Sequence, residues 1–259
     1  MIRQVASDLY VVGECIEGEH HHESVRVYVL KNGKRPVLID TGARIQKEGV
    51  MKSLEDVLDG LTPEVVFLTH GELPHAGNIR TIVSRWPTTT VAISSLTIPY
   101  MDVTRVAEKD YKKEFAFTFL GTTDDFAGRR LEFIGPALRD QAMSQWIFDP
   151  KTGALFCADA FGYYHAPGRC ELFSDEEGGA IHEKDMLDYH RDAFQFLRWV
   201  NPAPVKDEMD KVLERDVKII APTHGNPIRS DIRGHADMMI RVVGSIRNEW
   251  MAKRQVLAQ

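Results

Sequence analysis

Short apolar runs alternate with segments whose apolar residues recur every three or four positions, a pattern typical of layered α/β domains. The runs are bounded by Gly, Pro, Asp or Asn, as buried strands often are. Strands are predicted at residues 9–13, 25–30, 37–40, 65–68, 88–93, 131–134, 145–148 and 155–158, and directly before His224. Helices are predicted near residues 46–58, 76–84, 98–112, 183–200, 204–214 and 232–253.

Four of the predicted strands end in side chains that commonly bind metals. These side chains are His70, Glu72 and His75 after one strand, and Asp40, Asp159 and His224 after three others. Open α/β sheets bind ligands at the carboxyl ends of their strands, so the residues are expected to converge. Imidazole and carboxylate donors suit Zn, Mn or Fe. The sequence therefore predicts one or two divalent metal ions (Fe, Zn or Mn).

Three motifs carry a resemblance to a known family. They read LIDTG at 38–42, THGELPHAG at 69–77 and PTHG at 222–225, with an aspartate-ending strand between the last two. In this order, over roughly residues 8–230, they resemble the metallo-β-lactamase superfamily. The resemblance implies an αββα sandwich, two mixed β-sheets flanked by helices. We expect residues 1–259 to form a single metallo-β-lactamase-like domain, with a C-terminal helix at about 232–253.

Glu72 lies where most hydrolases of the family carry a second histidine. In this respect the chain is similar to the flavodiiron branch, whose site holds two irons. The resemblance implies that the first metal would bind His70, Glu72 and Asp159. The second metal would bind His75, Asp159 and His224, so that Asp159 bridges the two.

Two positions depart from the family pattern. Pro74 stands where both branches have an aspartate, and the stretch after strand 131–134 contains Arg139 and Asp140 but no histidine. Arginine cannot bind a metal because its guanidinium stays protonated. Replacement ligands could come from His165 or from one of His20, His21 and His22, although an exposed polar loop is favoured for these three. Asp40 is expected to brace its turn by accepting backbone hydrogen bonds, without touching metal.

Three functions stay open. The favoured one is a metal-dependent hydrolase in which metal-bound hydroxide attacks a small, neutral or aromatic substrate. Glu72 or His165 would act as the base, and Arg139 would stabilise a developing anion. The alternative is a stand-alone non-haem (di-)iron protein that binds or reduces O2 or NO. The third is a catalytically impaired regulatory or partner subunit.

Hydrolysis is favoured because it needs only a metal and water. Flavodiiron reductases take electrons from a flavin on a flavodoxin-type domain, and we find no such segment in the 259 residues. The sequence also has no cysteine pattern for a rubredoxin or an iron–sulfur cluster.

Composition narrows the expected partners and location. The net charge of −6 argues against nucleic-acid binding, and no apolar run is long enough to cross a bilayer. Cys15, Cys157 and Cys170 form no paired framework and the N-terminus lacks a signal-peptide core, which predicts a cytoplasmic protein. Cys157 is expected in the core. The apolar face of the last helix would pack on the body or join a homo- or hetero-oligomer.

Overall fold

The computed structural model describes residues 1–19, 21–94, 115–126 and 128–257. Within them, two β-sheets face each other and helices cover both outer faces, as predicted. The first sheet has the order β1-β2-β3-β4-β5-β6-β7, with β12 beside β3: Ile2–Ala6, Leu9–Glu17, His22–Leu30, Val37–Ile39, Val65–Phe67, Thr90–Ile93 and Ala116–Phe117, then Tyr164–His165. The second sheet has the order β13-β11-β10-β9-β8: Ile219–Ala221, Ala154–Phe156, Trp146–Asp149, Arg129–Ile134 and Thr123–Phe126.

Both sheets are mixed, and their parallel strands determine where the site lies. Strands β4, β5 and β6 are parallel, so their carboxyl ends meet at one edge of the first sheet. Strands β11 and β13 are parallel in the second sheet. Two backbone bonds join the ends of the sheets: Thr223 N donates to Ala158 O at 2.8 Å, and Arg26 N donates to Thr223 O at 2.9 Å. Side chains that follow these strands therefore converge at one edge of the sandwich.

Three hydrophobic clusters hold the layers together. One lies between the sheets and includes Phe67, Phe133 and Phe156. A second packs the first sheet against α1 (Lys47–Leu58) and α3 (Ile79–Arg85). The third packs the second sheet against α4 (Glu183–Ala193), α5 (Pro202–Leu213) and α6 (Ile232–Leu257), and contains the fully buried Cys157. This order of layers is the predicted αββα sandwich.

The prediction of one continuous helix at 76–84 is wrong. The structure has a short helix α2 (Leu73–Ala76), then α3 after a break at Gly77 and Asn78. The Asn78 side chain donates to the carbonyls of residues 41, 42 and 43, which draws the backbone towards the LIDTG turn. A Cβ on Gly77 would lie 2.4 Å from Leu73 O and 2.8 Å from Gly42 O, so no larger residue fits this approach.

Other boundaries shift by a few residues. The predicted helix at 183–200 divides at Phe194, after which Gln195–Trp199 forms a 3-10 helix. Strands β1, β7, β8 and β12 were not predicted, because they are short, exposed or close to turns. The predicted helix at 98–112 lies outside the described residues.

The C-terminal helix α6 packs on the body of the chain. Its buried residues Met239, Val242, Val243 and Ile246 join the cluster beneath α4 and α5. Its apolar face is therefore largely covered within this chain. No described helix combines the length and the apolar composition that crossing a bilayer requires.

Candidate metal centre

Asp40 organises the floor of the site. It follows β4 in the left-handed conformation, with φ of 59°, and is buried. Its carboxylate accepts hydrogen bonds from the backbone N–H of Thr69 at 2.8 Å, from the hydroxyls of Thr69 and Thr223, and from Nδ1 of His75 at 2.8 Å. Asp40 thus joins the ends of β4, β5 and β13 and orients one histidine, which is more than the backbone bracing expected from the sequence.

His75 and Asp159 form the centre of the cluster. Because Nδ1 of His75 is bound to Asp40, its Nε2 is left to face Asp159 Oδ1 at 2.7 Å. The two atoms face each other outside hydrogen-bond geometry, and neither has a hydrogen-bond partner among the described residues. Asp159 follows Ala158, another left-handed residue with φ of 53°, at the end of β11.

His224 approaches the same carboxylate from the second sheet. Its Nε2 lies 3.6 Å from Asp159 Oδ1, and its Nδ1 donates to Glu23 at the start of β3. His75 and His224 therefore share one arrangement, in which a carboxylate holds Nδ1 and leaves Nε2 to face Asp159. Histidines that bind metals are usually oriented in this way.

His70 lies on the other side of Asp159, among carboxylates. Its Nε2 is 3.8 Å from both Asp159 Oδ1 and Glu72 Oε2, and its Nδ1 is 3.6 Å from Asp140 Oδ2. Asp140 accepts a hydrogen bond from Ser144 through Oδ1, which leaves Oδ2 directed at His70. Asp140 comes from the stretch where the family resemblance implies a histidine. The structure thus brings a carboxylate to the position that appeared vacant in the sequence.

The unpartnered atoms test whether this donor set fits a metal. Buried polar groups in proteins nearly always have hydrogen-bond partners. Within the described residues, five donor atoms of this cluster are buried without one: both ring nitrogens of His70, His75 Nε2, Asp140 Oδ2 and Asp159 Oδ1. One donor atom each from His70, His75 and Asp159 can be chosen so that all three lie within 4.8 Å of one another, and a cation among them would satisfy these atoms, so the residues fit a metal site.

The electrostatics of the cluster also favour positive charge. Burial opposes a charge on the His75 ring, but Asp40 and Asp159 outweigh burial and raise the pKa of His75 well above its usual value. Burial likewise opposes the charge on Asp159, but the histidines around it outweigh burial and lower its pKa. Burial raises the pKa of Asp140. A divalent cation would offset the cost of burying these carboxylates.

A cavity of about 370 Å³ opens beside the cluster. The candidate ligands Glu72, Asp159 and His224 face it, and so does Asp140. The rest of its lining comprises Glu23, Pro74, Gln141, Tyr164, Tyr189, Asp192, Ala193, Phe194 and Phe196. The donors are therefore reachable from outside, as a centre with open coordination positions requires.

The structure brings together His70, Glu72, His75, Asp159 and His224, the five metal ligands that the sequence predicts. It does not bring the other two predicted catalytic residues to this cluster. Arg139 is exposed and is not part of the cavity lining. His165 is buried elsewhere, with its Nε2 3.3 Å from Cys15 Sγ, and burial lowers its pKa to about 4.

The histidine triplet does not supply a replacement ligand within the described residues. His21 stacks on Tyr164 with ring centroids 3.6 Å apart. His22 lies beside Cys170. His20 lies outside the described residues.

Sequence reasoning missed Glu23 and did not assign Asp140 as a ligand. Glu23 is one charged residue in the alternating strand β3. It lies at His224 only because the segment that follows β13 pairs with β3. Asp140 lies in a loop after β9, where no periodic pattern fixes the direction of a side chain.

Comparisons with known proteins agree with this geometry. The model of the metallo-beta-lactamase superfamily matches residues 22–224, so the chain belongs to that superfamily. An anaerobic nitric oxide reductase flavorubredoxin of Aeromonas hydrophila is 24% identical over 215 residues, which cover 82% of this chain and 41% of the relative. A putative diflavin flavoprotein of Synechocystis is 24% identical over 212 residues, covering 81% and 34%.

Solved structures with the same fold include flavodiiron proteins. Rubredoxin oxygen:oxidoreductase of Desulfovibrio gigas matches with a TM-score of 0.71 at 20% identity, covering 97% of this chain and 62% of that one. The flavodiiron protein of Giardia intestinalis matches with a TM-score of 0.72 at 18% identity, covering 95% and 59%. The chain thus spans about two fifths or less of the curated relatives and about three fifths of these structures.

Proposed function

We propose that this chain is a non-haem iron protein of the flavodiiron type, which binds two irons and takes dioxygen or nitric oxide as a ligand. One observation carries the proposal: His75, His224 and Asp159 converge as two imidazoles and one carboxylate beside an open cavity. This donor set with open positions is typical of ferrous sites that react with oxygen. The similarity to flavodiiron proteins supports iron over zinc.

Five donors divide between two irons. His70 through Nε2, Glu72 and Asp159 would hold one iron, and His75, Asp159 and His224 the other. Iron bound there would supply open coordination positions for a diatomic ligand and the ability to change oxidation state. Asp140 is the new element of this assignment, since it faces Nδ1 of His70 and would orient that ring as Asp40 and Glu23 orient theirs.

The surrounding residues keep the donors in the required protonation state. Asp40 and Glu23 each hold a proton on Nδ1 of a histidine, which keeps Nε2 free for a metal. Gln141 donates to Glu72 and orients the most exposed carboxylate of the set. Tyr164, Tyr189, Phe194 and Phe196 give the cavity an aromatic wall, which favours small apolar molecules such as dioxygen and nitric oxide.

Gas binding needs only the open positions, whereas reduction also needs electrons. We infer that an electron donor outside this centre supplies them, since such a donor is required for any turnover of dioxygen or nitric oxide. Without such a donor the same centre would serve as a sensor of either gas, with a regulatory role.

Hydrolysis is the second candidate, and one observation favours it. A cavity of about 370 Å³ is within the range of small-molecule sites and far larger than a diatomic gas needs. The similarity to flavodiiron proteins favours the iron proposal over hydrolysis, however, and neither Arg139 nor His165 lies where the hydrolytic mechanism would use it.

Metal analysis with gas binding tests the proposal. Protein purified under anaerobic conditions is expected to hold about two irons per chain, and its EPR spectrum is expected to change when nitric oxide is added. His224→Ala should lose iron and the nitric oxide response. The matched control His182→Ala, at an exposed histidine, should keep both. Stoichiometric zinc with turnover of ester substrates would contradict the proposal and establish hydrolysis.

A further inference from the structure

A second group of metal-type side chains lies outside the iron centre. We propose that Cys15, His22, His165 and Cys170, here called the Cys2His2 cluster, form a structural zinc site. One donor atom from each residue can be chosen so that all four lie within 4.8 Å of one another. The inference does not depend on the proposed function, because none of these residues belongs to the iron centre.

Strand register brings three of the four residues to one face of the first sheet. Strands β2 and β3 are antiparallel, with Cys15 opposite Ser24 and Glu17 opposite His22. Because side chains alternate along a strand, Cys15 and His22 lie on the same face as diagonal neighbours. Strand β12 pairs with the other edge of β3 and places His165 directly opposite His22. Cys170, on the loop after β12, completes the group.

The distances agree with a tetrahedral ion. His165 Nε2 lies 3.3 Å from Cys15 Sγ, and His22 Nδ1 lies 3.4 Å from Cys170 Sγ. Bond lengths of about 2.3 Å for sulfur and about 2.0–2.1 Å for nitrogen imply a nitrogen–sulfur edge of about 3.6 Å in a tetrahedral zinc site. Closing the cluster around an ion would need shifts of only a few tenths of an ångström at these pairs.

Hydrogen bonds fix the backbone of Cys170, the least constrained of the four residues. Cys170 has no strand neighbours, but its carbonyl accepts hydrogen bonds from Arg26 Nη2 at 2.5 Å and from Asn226 Nδ2 at 3.1 Å. The Arg26 guanidinium is fully buried and is itself fixed by Asn226 Oδ1 at 2.9 Å. These contacts orient the Cys170 backbone before any ion binds. Preorganisation of this kind lowers the entropic cost of metal binding.

The donor chemistry indicates zinc and a structural role. Two thiolates and two imidazoles form a closed set of four ligands, which is the composition of structural zinc sites, whereas catalytic zinc keeps one position open. The cluster also adjoins the iron centre through the chain: His22 precedes Glu23, which holds His224, and His165 follows Tyr164 of the cavity wall. Zinc would therefore fix the strands that carry these two residues.

Cobalt substitution tests the inference on the whole protein. Cobalt(II) bound by thiolates gives a sulfur-to-metal charge-transfer band, and the iron centre contains only nitrogen and oxygen donors. Reduced wild-type protein whose iron centre is loaded with iron, titrated with cobalt, is expected to show this band, together with the visible bands of tetrahedral cobalt, saturating at one equivalent. Zinc added afterwards should abolish both.

Variants assign the band to the cluster. Cys15→Ser and Cys170→Ser should each abolish it, and His22→Gln should weaken cobalt binding at least tenfold. Cys157→Ser is the matched control, because Cys157 donates to Ala160 O in the core and serine can do the same. His75→Ala, which damages the iron centre, should leave the band intact.

Three results would overturn the inference. One is cobalt uptake by the reduced wild-type protein with no thiolate band, a result that depends on no variant. Another is a band that survives in both Cys15→Ser and Cys170→Ser, since the thiolate would then come from elsewhere. Formation of a Cys15–Cys170 disulfide in air, with no metal uptake after its reduction, would assign the pair to redox chemistry and also overturn it.

Discussion

Removing the negative charge of Glu23 should weaken metal binding at His224 without removing a ligand. Glu23 accepts a hydrogen bond from His224 Nδ1, and both side chains are largely screened from water, with 27% and 7% of their surface exposed. Glu23→Gln keeps an acceptor at this position but replaces a charged acceptor with a neutral one. Hydrogen bonds to charged groups are worth about 1.5–3 kcal/mol and neutral ones about 1 kcal/mol.

The difference, reduced for the partial exposure of Glu23, is about 1 kcal/mol, which corresponds to roughly a five- to tenfold weaker affinity at this site. Glu23→Ala removes the acceptor and leaves His224 free to rotate, so a loss of about 10- to 100-fold is expected. Competition with a chromophoric chelator for ferrous iron, under anaerobic conditions, measures both values.

Glu14→Gln is the matched control, since it removes the same charge from an exposed position on β2. It should leave the affinity within twofold of wild type. Unchanged iron affinity in both Glu23 variants would refute the reasoning, because the hydrogen bond to His224 would then have no bearing on metal binding.

Three further predictions concern the site and the fold. Asp140→Ala should free the His70 ring and lower the iron content below about two per chain by elemental analysis, whereas Arg139→Ala should not; equal content in the two variants would contradict a role for Asp140 at this centre. Burial lowers the pKa of His190 to about 4, so between pH 6.5 and 4 the unfolded chain binds a proton that the folded chain does not. As the pH is lowered through this range, the free energy of unfolding should therefore fall by about 1.4 kcal/mol per pH unit, about 3 kcal/mol in all. Urea unfolding of His190→Gln should show a correspondingly flatter pH dependence; parallel profiles of the variant and the wild type would contradict this. Gly77→Ala should destabilise the fold by about 1–3 kcal/mol through its clash with backbone carbonyls. Gly244→Ala, within α6, would bring its Cβ to 3.9 Å from Pro202 Cγ, an ordinary contact, and should stabilise the fold by about 0.5–1 kcal/mol; thermal unfolding that shifts both variants in the same direction would be the contrary result.

The sequence predicts the fold class and the convergence of the main candidate ligands because both depend on local patterns. A buried parallel strand is a continuous apolar run, and its first polar residue marks the edge of the sheet. Asp159 and His224 could be placed together on this basis, although 65 positions separate them in the chain.

What the sequence could not predict depends on register and on loops. Glu23 and the Cys2His2 cluster arise only because β12 and the segment before His224 align with β3. Asp140 lies in a loop whose path follows from packing against His70. The break at Gly77 reflects a tertiary contact with the LIDTG turn, which no helical periodicity records.

Anomalous diffraction at the iron absorption edge, from crystals of the ferrous protein, tests the central claim most directly. The account predicts a peak bonded to Nε2 of both His75 and His224 and to the Asp159 carboxylate, with a second peak beside His70. Absence of any iron peak between residues 75, 159 and 224 in fully iron-loaded protein would contradict it.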